Sequence, residues 1–149
     1  MTEYQREKIF DCLPEMKPLF DEHYDEIEKF KDIKFDPDLT KYKALEDLGF
    51  LYLFTARVDS KLVGYALFFV DLNLHYKNSV QAHQDAMFVR SDFRGKTGYN
   101  LIKFCDEELK KVGVQVVYHH VKAEHDFGKL LERIGYKLSY KLFAKRLDK

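Results

Sequence analysis

The run "VQAHQDAMFV" (80–89) followed by "RSDFRGKTGYNLIKF" (90–104) is the stretch on which the fold turns. A segment with strand character stops at Val89. A basic turn with two glycines follows. Beyond it Leu101, Ile102, Cys105, Leu109 and Val112 have the spacing of one helix face, and Gly113 ends that helix. A strand that enters a helix this way leaves the first N–H groups of the helix without intrahelical acceptors, at the positive end of its dipole. Arg94 and Lys96 add charge, and Gly95 and Gly98 permit close backbone approach. The hexapeptide Arg94–Tyr99 therefore reads in two ways, as an anion site or as a solvated basic turn without a ligand. A nucleotide P-loop does not fit. Gly95-Lys96-Thr97 matches only the end of that motif, and Arg90 stands where its first glycine is required.

Working outward, residues 5–10 predict a short first strand. Leu13, Met16, Phe20, Tyr24 and Ile27 predict a helix from Leu13 to about Phe30, with Pro18 implying an irregular start or two pieces. Asp36-Pro37 reads as a cap and first position of a second helix, which carries Tyr42, Leu45 and Leu48 on one face and ends at Gly49. "FLYLFTARV" and "KLVGYALFFVDL" flank Asp59-Ser60 and predict a hairpin over 50–71. A polar loop is expected at 72–79 and a strand at 114–121. A short helix capped by Asp126 and closed by Gly135 follows, and 136–147 alternates as a last strand. The order predicts an α/β (α+β) fold with a mixed sheet, in one domain over residues 1–149.

Composition narrows the function. With 149 residues, 46% of them apolar, the chain can bury a single core. Lys+Arg and Asp+Glu are both 25, and zero net charge argues against nucleic-acid binding as the main activity. Two cysteines make no disulfide framework and point to reduced thiols in a cytoplasmic setting. The first ten residues hold no apolar run of signal-peptide length, and no run in the chain approaches a membrane span.

From about residue 50 the chain resembles the GNAT superfamily of acyl-CoA-dependent N-acetyltransferases. The resemblance is carried by "LYLFTARVDSKLVGYALFFV", "AMFV", "RGKTG" with the helix after it, "VQVVYHHV" and "LLERIGYKL". The wording is similar to small phage- and bacteria-encoded members of unassigned substrate. Val89 and Arg94 keep the superfamily spacing between an apolar strand residue and the Arg/Gln-x-x-Gly-x-Gly/Ala turn. Thr97 and Tyr99 depart from it, standing where small residues are usual.

The resemblance implies a single GNAT-like domain whose central sheet is mixed and mostly antiparallel. Two of its strands splay around the acyl-CoA site. It implies acetyl-CoA (coenzyme A) as cofactor, with Arg94, Gly95, Lys96, Thr97, Gly98 and Tyr99 on the pyrophosphate and backbone groups of Phe88 and Val89 on the pantetheine arm. The implied reaction is direct transfer of acetyl to a primary amine, on a small molecule or a protein, in a ternary complex. Homodimers are common among relatives. The usual proton-donating Tyr is Leu131 here, and the Asn often found before it is Glu124. Those departures keep open an alternative, a non-catalytic binding module that retains coenzyme A.

Transfer needs a deprotonated amine and so a base, direct or through water. By the period of two, His83, Asp85, Met87 and Val89 share one strand face. In the family this strand carries an acidic base, which makes Asp85 and His83 the candidates. Asp85 equally suits binding a substrate cation. Glu124 and His125 fall where the sheet meets the last helix, near the expected thiol, and complete the catalytic set. His119 and His120 point to opposite faces, and without HExxH or CxxC spacing no metal is expected. The acidic run at 21–28 reads as a solvated helix face in preference to an attractor for a cationic amine.

Overall fold

In the computed structural model, which describes residues 1–27 and 29–149, five strands form one sheet in the order β1-β2-β3-β4-β5. β1 (Thr2–Glu7) pairs antiparallel with β2 (Leu51–Val58). Between them run α1 (Ile9–Ile27) and α2 (Leu39–Asp47). The first strand thus begins earlier than the pattern at 5–10 suggests. Pro14 and Pro18 both lie inside an unbroken α1. Each removes one backbone bond, but Cys12, Leu13, Met16 and Leu19 are buried along the helix, and this packing holds it together. The predicted end near Phe30 passes through Glu28, which lies outside the described residues. α2 is capped two residues later than Asp36, by Asp38, whose carboxylate accepts from Lys41 N at 3.0 Å.

Asp59 and Ser60 take positive φ of 50° and 66°, the two-residue turn that suits strand twist, and deliver β3 (Lys61–Asn73) back along β2. β4 (Tyr76–Val89) follows after only Leu74 and His75. The polar loop expected at 72–79 is therefore mostly ribbon. Backbone pairing needs no apolar side chain, and both faces of this ribbon end are largely exposed. α3 (Lys96–Lys111) leads to β5 (Val116–Tyr118), which pairs with β4 in parallel. α4 (Gly128–Ile134) follows, closed by left-handed Gly135. Its cap is Phe127 rather than Asp126, whose carboxylate accepts from Gly128 N. The last strand expected at 136–147 does not form: this segment has no ladder.

The sheet separates two apolar layers. On one face α1 and α2 cover Leu51, Leu53, Tyr65, Leu67 and Phe88. On the other, Leu101, Cys105 and Leu109 of α3 pack on Phe54, Ala56, Ala66, Phe68 and Val89. At the β1 edge Arg57 donates to Glu7 and Glu15, while the Thr55 hydroxyl and Cys12 thiol also reach Glu7. With all its partners in place, this charge cluster ties β1, β2 and α1 together. Both cysteines are buried and free. No helix among the described residues is long and apolar enough to cross a membrane.

Candidate functional site

A bulge in β4 sets the chemistry of one sheet face. Leu67 pairs with Ala86 and Phe68 with Gln84, so Asp85 is the extra residue. The bulge overturns the alternation expected for His83, Asp85, Met87 and Val89. His83, paired with Phe69, and Asp85 lie toward α1 and α2, whereas Met87 and Val89 pack in the opposite layer. Asp85 accepts a short 2.5 Å hydrogen bond from the Tyr42 hydroxyl, and Tyr42 stacks on Phe69 at 6.5 Å. Burial, then the Asp85 hydrogen bond, raises the Tyr42 pKa well above the ordinary phenol value, so Tyr42 keeps its proton. The His83 ring stacks on Tyr118 at 4.8 Å and meets His120 edge-on. Burial first and His120 second lower its pKa, which keeps it neutral at physiological pH. Beside it lies a cleft of about 310 Å³ lined by Phe69, Asp71, Asn73, His75 and His83 among others.

At the other end of β4 the sheet parts. The β4–β5 ladder covers only Gln81–His83 against Val116–Tyr118, and β4 runs on to Val89 without β5. Gly64 faces this end on β3. A Cβ there would meet the Phe88 carbonyl oxygen at 3.0 Å, so the close approach of β3 to β4 favours glycine. A single 3-10 turn (Ser91–Phe93) separates Val89 from the start of α3. Gly95 precedes that helix at φ 94° and ψ −110°, a conformation that L residues rarely adopt. No side chain caps α3, and its first intrahelical bond is Tyr99 N to Gly95 O. The N–H groups of Lys96, Thr97 and Gly98 have no acceptor among the described residues.

The flanking side chains are not arranged as the sequence suggests. Arg94 donates from Nε to the Val89 carbonyl at 2.9 Å and from Nη2 to Glu26 at 2.7 Å, and its guanidinium lies 5.5 Å over the Phe88 ring. It is held against the end of β4 and α1. Glu26 belongs to the acidic run at 21–28, so that run is more than a solvated face; Glu28 lies outside the described residues. The Arg94 bond keeps the Glu26 pKa below the usual carboxylate range. Gly98 is buried in the first turn of α3, and an added Cβ would make only ordinary contact with Leu130 at 3.8 Å. Thr97 and Tyr99 are half-buried, with Lys103 over the Tyr99 ring.

Glu124 and His125 form an exposed 3-10 turn (Ala123–His125), on a different element from His83 and Asp85. Leu131 is buried in the core and offers no proton donor. The Tyr136 hydroxyl donates to Asp106 at 2.5 Å. His119 and His120 do diverge: His120 meets His83, while His119 bonds Gln84 at 2.9 Å across the parting strands and packs edge-on against Phe68, Phe127 and Tyr136. Burial, then the charge of His120, brings the His119 pKa down to about 4. Sequence reading missed Tyr42 and Glu26 as site residues. They lie 43 and 68 residues from their partners, and no local pattern marks them.

The comparisons agree with this architecture. A ribosomal-protein-alanine N-acetyltransferase from Brucella melitensis biovar Abortus 2308 superposes with a TM-score of 0.73 at 19% identity, covering 99% of both chains. An aminoglycoside acetyltransferase from an uncultured soil metagenomic sample, in complex with sisomicin, gives 0.75 at 17% identity over 98% of this chain and 96% of that one. A Clostridium acetobutylicum protein described as a predicted acetyltransferase, with acetyl-CoA, gives 0.71 at 12% identity over 99% and 97%. Among curated proteins none matches the sequence. Residues 10–136, most of the chain, match the acetyltransferase (GNAT) family. With a five-stranded sheet parted beside an uncapped helix start, and with that match along its length, the chain belongs to the GNAT acetyltransferase family.

Proposed function

We propose that the protein transfers the acetyl group of acetyl-CoA directly to a primary amine. The observation that carries this reading is the start of α3. Three N–H groups without acceptors follow Gly95 with its positive φ, one short turn beyond the end of β4, whose last residues run without β5. That is a fitting cradle for a pyrophosphate. Lys96, Thr97 and Gly98 would hold it through their backbones, with Lys96 and Arg94 adding charge. The unpaired side of β4 at Phe88 and Val89 would receive the pantetheine arm. The cofactor supplies an activated thioester.

The chain's own residues handle the amine. Asp85, re-aimed by its bulge and oriented by Tyr42, accepts the amine proton directly or through a water. Neutral His83, in the lining of the 310 Å³ cleft, is the second acceptor and aligns the incoming amine. The amine nitrogen forms the new C–N bond as the C–S bond breaks. A thiol of pKa about 8.5 leaves acceptably without a dedicated acid. Glu124 and His125, on an exposed 3-10 turn of their own, would serve at the thiol.

Buried Leu131, where relatives place a donor, favours a second reading in which the module binds coenzyme A without turnover. One experiment addresses both. Acetyl-CoA should raise the melting temperature while ATP does not, and free thiol should accumulate when amines are supplied as small molecules or peptide N-termini. A shift without thiol release from any amine selects the binding module. No shift at all removes the site.

A further inference from the structure

Two residues stand where the fork between β4 and β5 closes, and the chemistry above uses neither. The ladder ends at His83 on β4 and Tyr118 on β5, whose rings stack on one face of the sheet. One residue further along each strand, Gln84 and His119 meet on the opposite face. Gln84 pairs with Phe68, which packs under α3, and His119 lies edge-on against the same Phe68. Phe127, just before α4, and Tyr136, just after it, also pack edge-on against the His119 ring. Nδ1 of that ring lies 2.9 Å from the Gln84 amide oxygen. Its other nitrogen, Nε2, is buried and has no hydrogen-bond partner among the described residues. The Tyr136 hydroxyl does not supply one, because it donates to Asp106. Buried side-chain nitrogens are seldom left unpaired, and one left so at the closed end of a parted sheet marks a place for a ligand.

We propose that His119 Nε2 is the hydrogen-bond donor to the sulfur that departs in acetyl transfer, at a site where buried Leu131 offers none. The proposal rests on the acetyl-CoA reading above, in which the pantetheine arm follows the unpaired side of β4 from Val89 toward the closed end of the fork. Asp85 and His83 then serve the amine from one face of the sheet, and His119 serves the sulfur from the other. A neutral imidazole carries a single N–H, and Gln84 decides which nitrogen holds it. Its amide offers an acceptor at one end and donors at the other, and half a turn about the last side-chain bond exchanges them. With the amide N–H on Nδ1, the ring proton is on Nε2. As the new C–N bond forms, the C–S bond breaks and its electron pair stays on sulfur. Nε2–H shares its proton with that sulfur and keeps it. The amine proton goes to Asp85, and solvent protonates the thiolate. A thioester sulfur is a weak acceptor and a thiolate a strong one, so this hydrogen bond strengthens as charge develops. No imidazolium is required, and burial first and His120 second disfavour one.

Titrating the thiol of coenzyme A bound to the full chain tests this. The thiolate is followed by its ultraviolet absorbance, with the complex of coenzyme A lacking its sulfur as the blank. The chain's own thiols do not interfere, because burial pushes Cys12 up to about 12 and Cys105 well above the ordinary thiol value. A free thiol titrates at about 8.5, and bound to the wild type it should titrate at about 7.5 or lower, since a donor aimed at the sulfur favours its charged form. His119→Phe keeps an aromatic ring against Phe68, Phe127 and Tyr136 and removes the donor. The ordinary thiol value should return, and kcat should fall roughly 100-fold with little change in the KM for the amine. His119→Gln, which retains a donor, should keep part of both. An ordinary thiol value in the wild-type complex overturns the proposal, and so does a lowered value that survives in His119→Phe. Either result leaves the cofactor reading standing, because coenzyme A has then bound. Absence of coenzyme A binding removes that reading and this proposal together.

Discussion

Asp85 shows how one side chain acquires a role from its surroundings. It is the residue left over where β4 bulges, and the Tyr42 hydroxyl fixes one of its oxygens. If it takes the amine proton, Asp85→Asn should lower kcat by roughly 100-fold or more, the usual worth of a general base, with acetyl-CoA affinity unchanged. Tyr42→Phe leaves the carboxylate in place but unoriented, so a smaller fall in kcat is expected. Initial rates and a parallel binding titration separate the two effects. Equal rates for wild type and Asp85→Asn would remove Asp85 from the mechanism. Arg94 illustrates the converse. Its residue type and position suggest a phosphate ligand, yet in the folded chain Val89 and Glu26 already occupy it. Phosphate binding through its guanidinium has to compete with that ion pair.

At the scale of elements, the start of α3 separates the two glycines of the turn. Gly95 needs its positive φ, and an alanine there is strained by about 1–3 kcal/mol. Gly98 is helical, with ordinary space for a methyl group, and alanine favours a helix by up to about 1 kcal/mol over glycine. Thermal unfolding should therefore show Gly95→Ala clearly destabilised and Gly98→Ala unchanged or improved. The reverse order would mean that the turn is built differently. The same element shows what was legible beforehand. A helix that opens at Arg94–Tyr99 and ends at Gly113 follows from periodicity and glycine placement. That only Gly95 needs glycine for its own backbone conformation was not legible there, because φ depends on how the turn closes.

At the scale of the whole molecule, two half-buried groups link stability to pH. The His119 pKa falls from 6.5 to about 4, so the unfolded chain binds its proton first as pH drops. Its contribution is complete above about pH 6.5 and lost on the way down to about pH 4, on the order of 3 kcal/mol. Burial alone would raise the Glu7 pKa, but hydrogen bonds from Arg57, Thr55, Cys12 and Gln5 bring it down to about 2. Its contribution is complete above about pH 4.5 and lost below that. Denaturant unfolding across pH should thus show two successive losses. His119→Gln, which keeps a polar group beside Gln84, should flatten the upper one and leave the lower. An unchanged upper slope would place the titration elsewhere.

By itself the sequence determined most of the helices and the central strands, the tight hairpin at Asp59-Ser60, the strand–turn–helix at 80–111 and the family resemblance. These rest on short-range energies: side-chain periodicity, caps and turn conformations are properties of neighbouring residues. Tertiary structure alone decided which way Asp85 faces, that Tyr42 and Glu26 join the site, and that 136–147 stays out of the sheet. Each depends on a partner far along the chain. A bulge exists only relative to the strand it pairs with, and alternation makes a strand only when another edge accepts its hydrogen bonds.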